Sequence, residues 1–155
     1  MKNSKISWTD HTWNPLGAAP IEGTQVEHFR CTKVSPACTN CYAERFNERF
    51  GGSPYAAGAD ARIVLKTKAL TEPIREKRPS TWFVCSMTDL FHEEVSNEWI
   101  AEIYRVMERC PHHVFLVLTK RPERMRQFLK RWHSYNANPE TADFAGQNPH
   151  IWHGV

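Results

Sequence analysis

The chain has 155 residues, 41% of them hydrophobic and 24% charged, which is enough for one domain with a real core. No stretch reaches the roughly eighteen consecutive apolar residues of a membrane span, and the polar, aromatic opening MKNSKISWTDHTW lacks the apolar stretch of a secretory leader. The expected setting is the cytoplasm, with no membrane partner. The net charge of +3 permits a nucleic-acid partner without arguing for one.

In chain order, ISWT at 6–9 is expected to open the fold as a short strand. Helix is predicted from about Cys38–Cys41 to Gly51-Gly52, with Phe46 and Phe50 on one side. The Gly/Ala/Pro-rich stretch 51–61 reads as a loop, and a further helix covers about 67–78 despite Pro73. TWFVCSM at 81–87 is the next strand. Ser96 is a good N-cap for a helix carrying Trp99, Ile100, Ile103, Met107 and Cys110, which Pro111 then stops. HVFLVLT at 113–119 is continuously apolar, as a strand covered on both faces of a parallel sheet would be. Pro122 suits the first turn of a helix with Met125, Phe128, Leu129 and Trp132 as its buried stripe. A second loop, 134–150, precedes a last strand, IWHGV at 151–155.

This alternation predicts an α/β fold, a partial (β/α) barrel of parallel strands forming one domain over 1–155. A closed eightfold barrel needs about 250 residues, so the expectation is an open barrel, truncated after about four strands.

The densest chemistry lies in CTKVSPACTNCYAERF at 31–46. Cys31, Cys38 and Cys41 fall within one short segment, in a chain whose five cysteines cannot all pair. Cys38 and Cys41 are three apart at a helix start, so both sulfurs can reach one centre, and the helix N-terminus favours the ligating thiolate. The loop containing Ser35-Pro36 can fold Cys31 back toward them. Two metals remain open. His28, through His28-x2-Cys31, could complete a Cys3His zinc site in a non-enzymatic nucleic-acid- or protein-binding module. Alternatively, three thiolates could hold a 4Fe–4S cluster with one iron left open for a substrate. Cys85 and Cys110 read as ordinary buried thiols.

Other candidates lie where parallel strands end. Asp89 could accept a hydrogen bond from a bound amine or simply brace its loop, and His92 reads as a polar loop residue. Lys120 or Arg121 could pair with a carboxylate or a phosphate. The clusters at 62–78 and 120–131 read either as solvated basic faces or as phosphate contacts. Trp8, Asp10, His11, Trp13 and Asn14 could stack a base, although packing as a cap of the barrel is the favoured reading.

The segments ISWTDHTWNP, CTKVSPACTNCYAERF, FVCSMTDLFHEEV, VFLVLTKRPERM and IWHGV together resemble the phage gp-thirty-seven/gp-sixty-eight family, a group with a three-cysteine motif. That resemblance implies a divergent radical S-adenosylmethionine protein, similar in style to the spore photoproduct lyase group. It would carry a 4Fe–4S cluster on Cys31, Cys38 and Cys41, with Asp89, Lys120 and Arg121 near the cofactor. It further implies a nucleic-acid or nucleotide substrate, a three-Cys-motif partner protein, an electron donor such as flavodoxin or ferredoxin, and residence in the host cytoplasm. This sequence departs from the usual radical spacing. Six residues instead of three separate its first two cysteines, Asn40 precedes Cys41, and the aromatic Tyr42 follows it. The segment between Pro15 and Cys31 is longer than the family's usual link and supplies His28.

Overall fold

The computed structural model describes residues 6–22, 28–52, 61–136 and 148–155. Four parallel strands form the main sheet, in the order β1 (His11–Trp13), β4 (Thr81–Val84), β5 (Val114–Leu118), β6 (Ile151–Gly154). The sheet is open and does not close into a barrel. A separate antiparallel pair joins β2 (Leu16–Pro20) to β3 (Ala61–Leu65), with Leu16 opposite Leu65 and Pro20 opposite Ala61.

Helix α4 (Asn97–Glu108) starts where the sequence places it, with the Ser96 hydroxyl accepting from Trp99 N at 3.3 Å. Its Ile100, Ile103 and Met107 belong to one core cluster with Trp82, Val84, Phe115 and Val117. Those four residues alternate along β4 and β5 and so share the helix-covered face of the sheet. Helix α5 (Pro122–Asn136) adds Phe128, Leu129 and Trp132 to the same core, and Phe128 and Trp132 stack with their rings 5.7 Å apart. The buried stripe read from the sequence is the one the helix uses.

Three expectations change. The first strand is His11–Trp13, not 6–9. Thr9 turns the chain instead, its hydroxyl lying 2.8 Å from His11 O and 2.9 Å from Thr81 O. Asp10 then caps the start of β4, with Oδ2 accepting Thr81 N at 2.7 Å. The continuous helix expected over 67–78 is two short pieces, α2 (Thr67–Leu70) and α3 (Glu72–Arg75). Pro73 lacks an N–H and fits the first turn of a new helix rather than the middle of an old one. Finally, β2 lies in the stretch read as a link before Cys31, and β3 runs from the last loop residue, Ala61, through 62–65, to which no element was assigned. Of the two loop predictions, 53–60 and 137–147 lie outside the described residues, and 134–136 continue α5.

Candidate functional site

Beyond Val84 the backbone turns sharply. Cys85 is buried and adopts φ 54°, a left-handed conformation that a side chain with a Cβ rarely takes. The turn throws Ser86–Asp89 across the C-terminal ends of the strands. Asn14, just after β1, secures it, with Oδ1 accepting Met87 N at 3.1 Å and its amide 3.1 Å from the Ser86 hydroxyl. Here a cavity of about 200 Å³ opens. Cys31, Cys38 and Cys41 all line it, together with Thr88, Lys120 and Arg121.

Several contacts bring the cysteine segment to that position. Asn47 of helix α1 (Tyr42–Arg49) acts as a surrogate strand neighbour. Its Oδ1 accepts Phe29 N at 2.9 Å and its Nδ2 donates to Phe29 O at 3.0 Å. Arg30 pairs with Glu94 at 2.8 Å and Lys33 with Glu44 at 2.7 Å. Buried Ala43 and Met87 form a small apolar cluster against which both Cys31 and Cys41 pack. Cys41 is the N-cap of α1, but its side chain makes no capping hydrogen bond, so the sulfur is not committed to the helix. Cys38 ends a 3₁₀ turn over Pro36–Cys38, with Sγ 3.7 Å from the Ser35 hydroxyl. None of the three is in a disulfide.

Their electrostatics differ. Burial pushes the Cys31 thiol up, against the opposing pull of an Asp89 backbone contact and of the Arg121 guanidinium, whose Nη1 lies 3.8 Å from the sulfur. Burial also acts to raise Cys38. There the hydrogen bonds to Val34 and Ser35 and the Lys120 charge outweigh it, so that thiol is held below its ordinary value.

Arg121 is the hub of the site. It donates to Glu93 at 3.0 Å, to Asp89 at 3.1 Å, and to the Thr32 hydroxyl and carbonyl at 2.8 and 3.2 Å. Asp89 receives Thr119 Oγ1 at 2.7 Å, Phe91 N and Lys120 N each at 2.9 Å, and Arg121. It therefore ties the loop after β4 to the loop after β5. Lys120 differs: its backbone N–H is used, whereas its ammonium makes no hydrogen bond or ion pair among the described residues. Arg124 lies below, donating to the carbonyls of Phe91, His92 and Val95.

His92 is fully buried, and the hydrogen bonds around it define its tautomer. Glu94 N donates to Nδ1 at 3.1 Å, which leaves Nε2 protonated and 2.9 Å from the Thr32 hydroxyl. The Thr32 hydroxyl in turn donates to Glu93 Oε1 at 2.9 Å. Burial, seconded by the Arg121 charge, lowers the His92 pKa below the ordinary 6.5. Between that lowered value and 6.5, the unfolded chain binds a proton that the folded chain refuses, so stability falls as pH drops through this window. Buried His113 is lowered too and acts in the same sense. Urea midpoints between about pH 7 and pH 5 should therefore decline in the wild type and decline less in His92→Gln. Equal slopes would mean that His92 does not titrate as described.

Sequence-predicted residues thus divide. The three cysteines, Asp89, Lys120 and Arg121 come together around one cavity. His28 does not join them. It forms a bridge with Ala18, and its ring lies about 3.8 Å from where a Cβ on Gly51 would sit, at the opposite end of α1 from Cys41. Among the described residues, no three His, Cys, Asp or Glu side chains are grouped closely enough to hold a single metal ion. In the opening cluster, His11 lies against Trp82 with ring centres 4.4 Å apart, Trp13 is core, and Trp8 sits half exposed against Phe83.

A family model described as "Protein of unknown function (DUF5131)" matches residues 3–155. The chain belongs to the DUF5131 family. No curated protein and no solved structure matches it.

Sequence reasoning missed several residues that build this DUF5131 site, namely Thr32, Asn47, Ser86 and Glu93. All four act through hydrogen bonds to residues far away in the chain, which no local pattern announces. Thr88, next to Asp89, also belongs to the site. Its hydroxyl is buried without a partner among the described residues, and the residue lines the cavity. Buried hydroxyls are ordinarily satisfied, so this one is available to a ligand.

Proposed function

We propose that this DUF5131 chain is an iron–sulfur enzyme of the radical S-adenosylmethionine type, as its resemblance to the phage gp-thirty-seven/gp-sixty-eight family implies. Cys31, Cys38 and Cys41 are its cluster ligands. The observation that carries this reading is their shared cavity at the C-terminal end of a parallel sheet, the end at which open α/β sheets bind ligands. The chemistry of the donor set supports the reading. Three thiols are free of disulfides, a guanidinium stands beside one of them, and His28, the candidate fourth ligand for zinc, is held elsewhere. The volume of about 200 Å³ also exceeds what one ion would need, being several times the roughly 30 Å³ share of a water molecule.

A cluster held there by Cys31, Cys38 and Cys41 would supply the electron for reductive cleavage of S-adenosylmethionine. The side chains of this protein do the rest. Arg121 favours the thiolate of Cys31 and holds the cysteine loop against the strand ends. Asp89 is saturated by its four donors, so it positions Lys120 and Arg121 instead of accepting from a ligand. The Lys120 ammonium is the group free to pair with a carboxylate or phosphate. The apolar Met87 and Ala43 keep water from the Cys31–Cys41 side. A nucleic acid or nucleotide is the proposed substrate, a flavodoxin or ferredoxin the electron donor, and a three-Cys-motif protein a partner.

Anaerobic reconstitution with iron and sulfide tests the reading. About four irons and four sulfides per chain are expected, with a brown colour and reductant-dependent cleavage of S-adenosylmethionine. Serine at any one of the three cysteine positions should abolish incorporation, while His28→Ala should leave it intact. A colourless protein holding one zinc, lost on His28→Ala, would establish the zinc module instead.

A further inference from the structure

Helix α1 and the residue that caps its C-terminus, Phe50, leave three aromatic side chains in solvent. Tyr42, Phe46 and Phe50 are 54%, 52% and 63% exposed and lie four residues apart, so they form one stripe along the helix. The rings of Phe46 and Phe50 meet with centroids 4.8 Å apart, giving a joined apolar surface. A contiguous exposed aromatic patch of this kind marks a binding surface more often than it marks ordinary surface chemistry.

A second stripe runs beside it. Arg45 and Arg49 each precede an aromatic by one residue, both are exposed, and neither forms an ion pair among the described residues; Arg45 bonds Asn40 Oδ1 at 3.0 Å. At 3.6 residues per turn, Glu44 and Glu48 fall roughly 200° around the helix from Tyr42 and Phe46, on the other side. Glu44 is turned inward to Lys33. The arginines therefore flank the aromatic stripe along one edge, with exposed Glu48 about 60° beyond Arg45. At one end of the stripe Tyr42 lines the cavity, with its hydroxyl donating to Ser86 O at 2.7 Å, and Lys120 lines the same cavity.

We propose that this face of α1 binds a single-stranded nucleic acid and leads it to the cavity. Bases stack on Phe46 and Phe50, and phosphates meet Arg45 and Arg49. Stacking accepts every base, because each has a π-face, and two unneutralised guanidiniums beside the rings complement a phosphate backbone better than an apolar protein surface. This assignment rests on the reading above, since it names the substrate class for the same cavity.

The probe is a fluorescein-labelled oligothymidine of about twelve nucleotides, within the usual site sizes of single-strand binders. Its anisotropy is followed at low salt on the full chain. Wild type should bind, and Phe46→Ala/Phe50→Ala should weaken binding at least about tenfold, as expected when two stacked bases are lost. Arg45→Gln/Arg49→Gln should flatten the slope of log K against log salt by about 1.4, at about 0.7 per phosphate contact on a single strand. Both pairs are exposed, and circular dichroism checks that the variants remain folded. Failure of the wild type to bind, or unchanged affinity in the aromatic pair, overturns the proposal. So does a dimer that becomes monomeric in the aromatic pair while strand affinity stays constant, because the face would then be a self-contact. Strand binding without iron uptake would sink the enzyme alone, and iron uptake without strand binding would sink this inference alone.

Discussion

Asp89→Ala should cost about 3–5 kcal/mol of folding stability, the range found when one member of a buried ion pair is removed. The side chains of Asp89 and Arg121 are only 7% and 9% exposed. Deleting the carboxylate leaves the backbone N–H groups of Phe91 and Lys120 and the Thr119 hydroxyl without their acceptor. It also leaves Arg121 with Glu93, itself 61% exposed, as its remaining carboxylate. Asp89→Asn keeps the shape, loses the charge and should fall between the two. Coupling is the sharper measurement. Asp89→Ala combined with Arg121→Met should cost less than the sum of the single changes, because the double variant leaves no buried charge unpaired. Additive urea midpoints, or a loss below about 1 kcal/mol for Asp89→Ala, would show that the two loops hold together without this pair.

Trp13→Ala should be comparably severe, at about 3–5 kcal/mol for truncating a buried aromatic side chain. Trp13 is 0% exposed, its ring centre lies 6.0 Å from that of Phe115, and its indole N–H donates to Ala69 O at 2.8 Å. One side chain therefore joins β1 to the core and to α2. Truncation creates a cavity and removes one of the two donors to Ala69 O, which keeps the Thr71 backbone N–H. Trp13→Phe retains most of the volume and should lose about 1 kcal/mol, near the net value of one hydrogen bond. Thermal or urea unfolding of both variants measures this. Near-equal losses in the two would assign the effect to the hydrogen bond and not to the cavity.

These two residues also show where the sequence was readable. The strands β4, β5 and β6 were legible because each is a short apolar run between turn signals, and α4 and α5 because cap, proline stop and apolar spacing agree. β1 was not. Its burial pattern comes from pairing with β4, whereas ISWT looked more strand-like and is held as a turn by Thr9. The β2–β3 pair was missed because LGAAP has little strand propensity, so its pairing is imposed by ARIVL across the ladder.

Amino-acid order by itself determined the α/β alternation, the stripes of α4 and α5, and the gathering of three cysteines around a helix start, since each depends on contacts between near neighbours. Tertiary structure decided what the pattern could not. It placed the cysteines with Lys120 and Arg121 around one cavity and sent His28 to the far end of α1. It also gave Asp89, for which the sequence left open a ligand contact or a loop brace, donors from the loops after both β4 and β5. The physical reason is that hydrogen bonds and ion pairs between residues such as Asp89 and Arg121, 32 positions apart, form only after the sheet has brought its strand ends together.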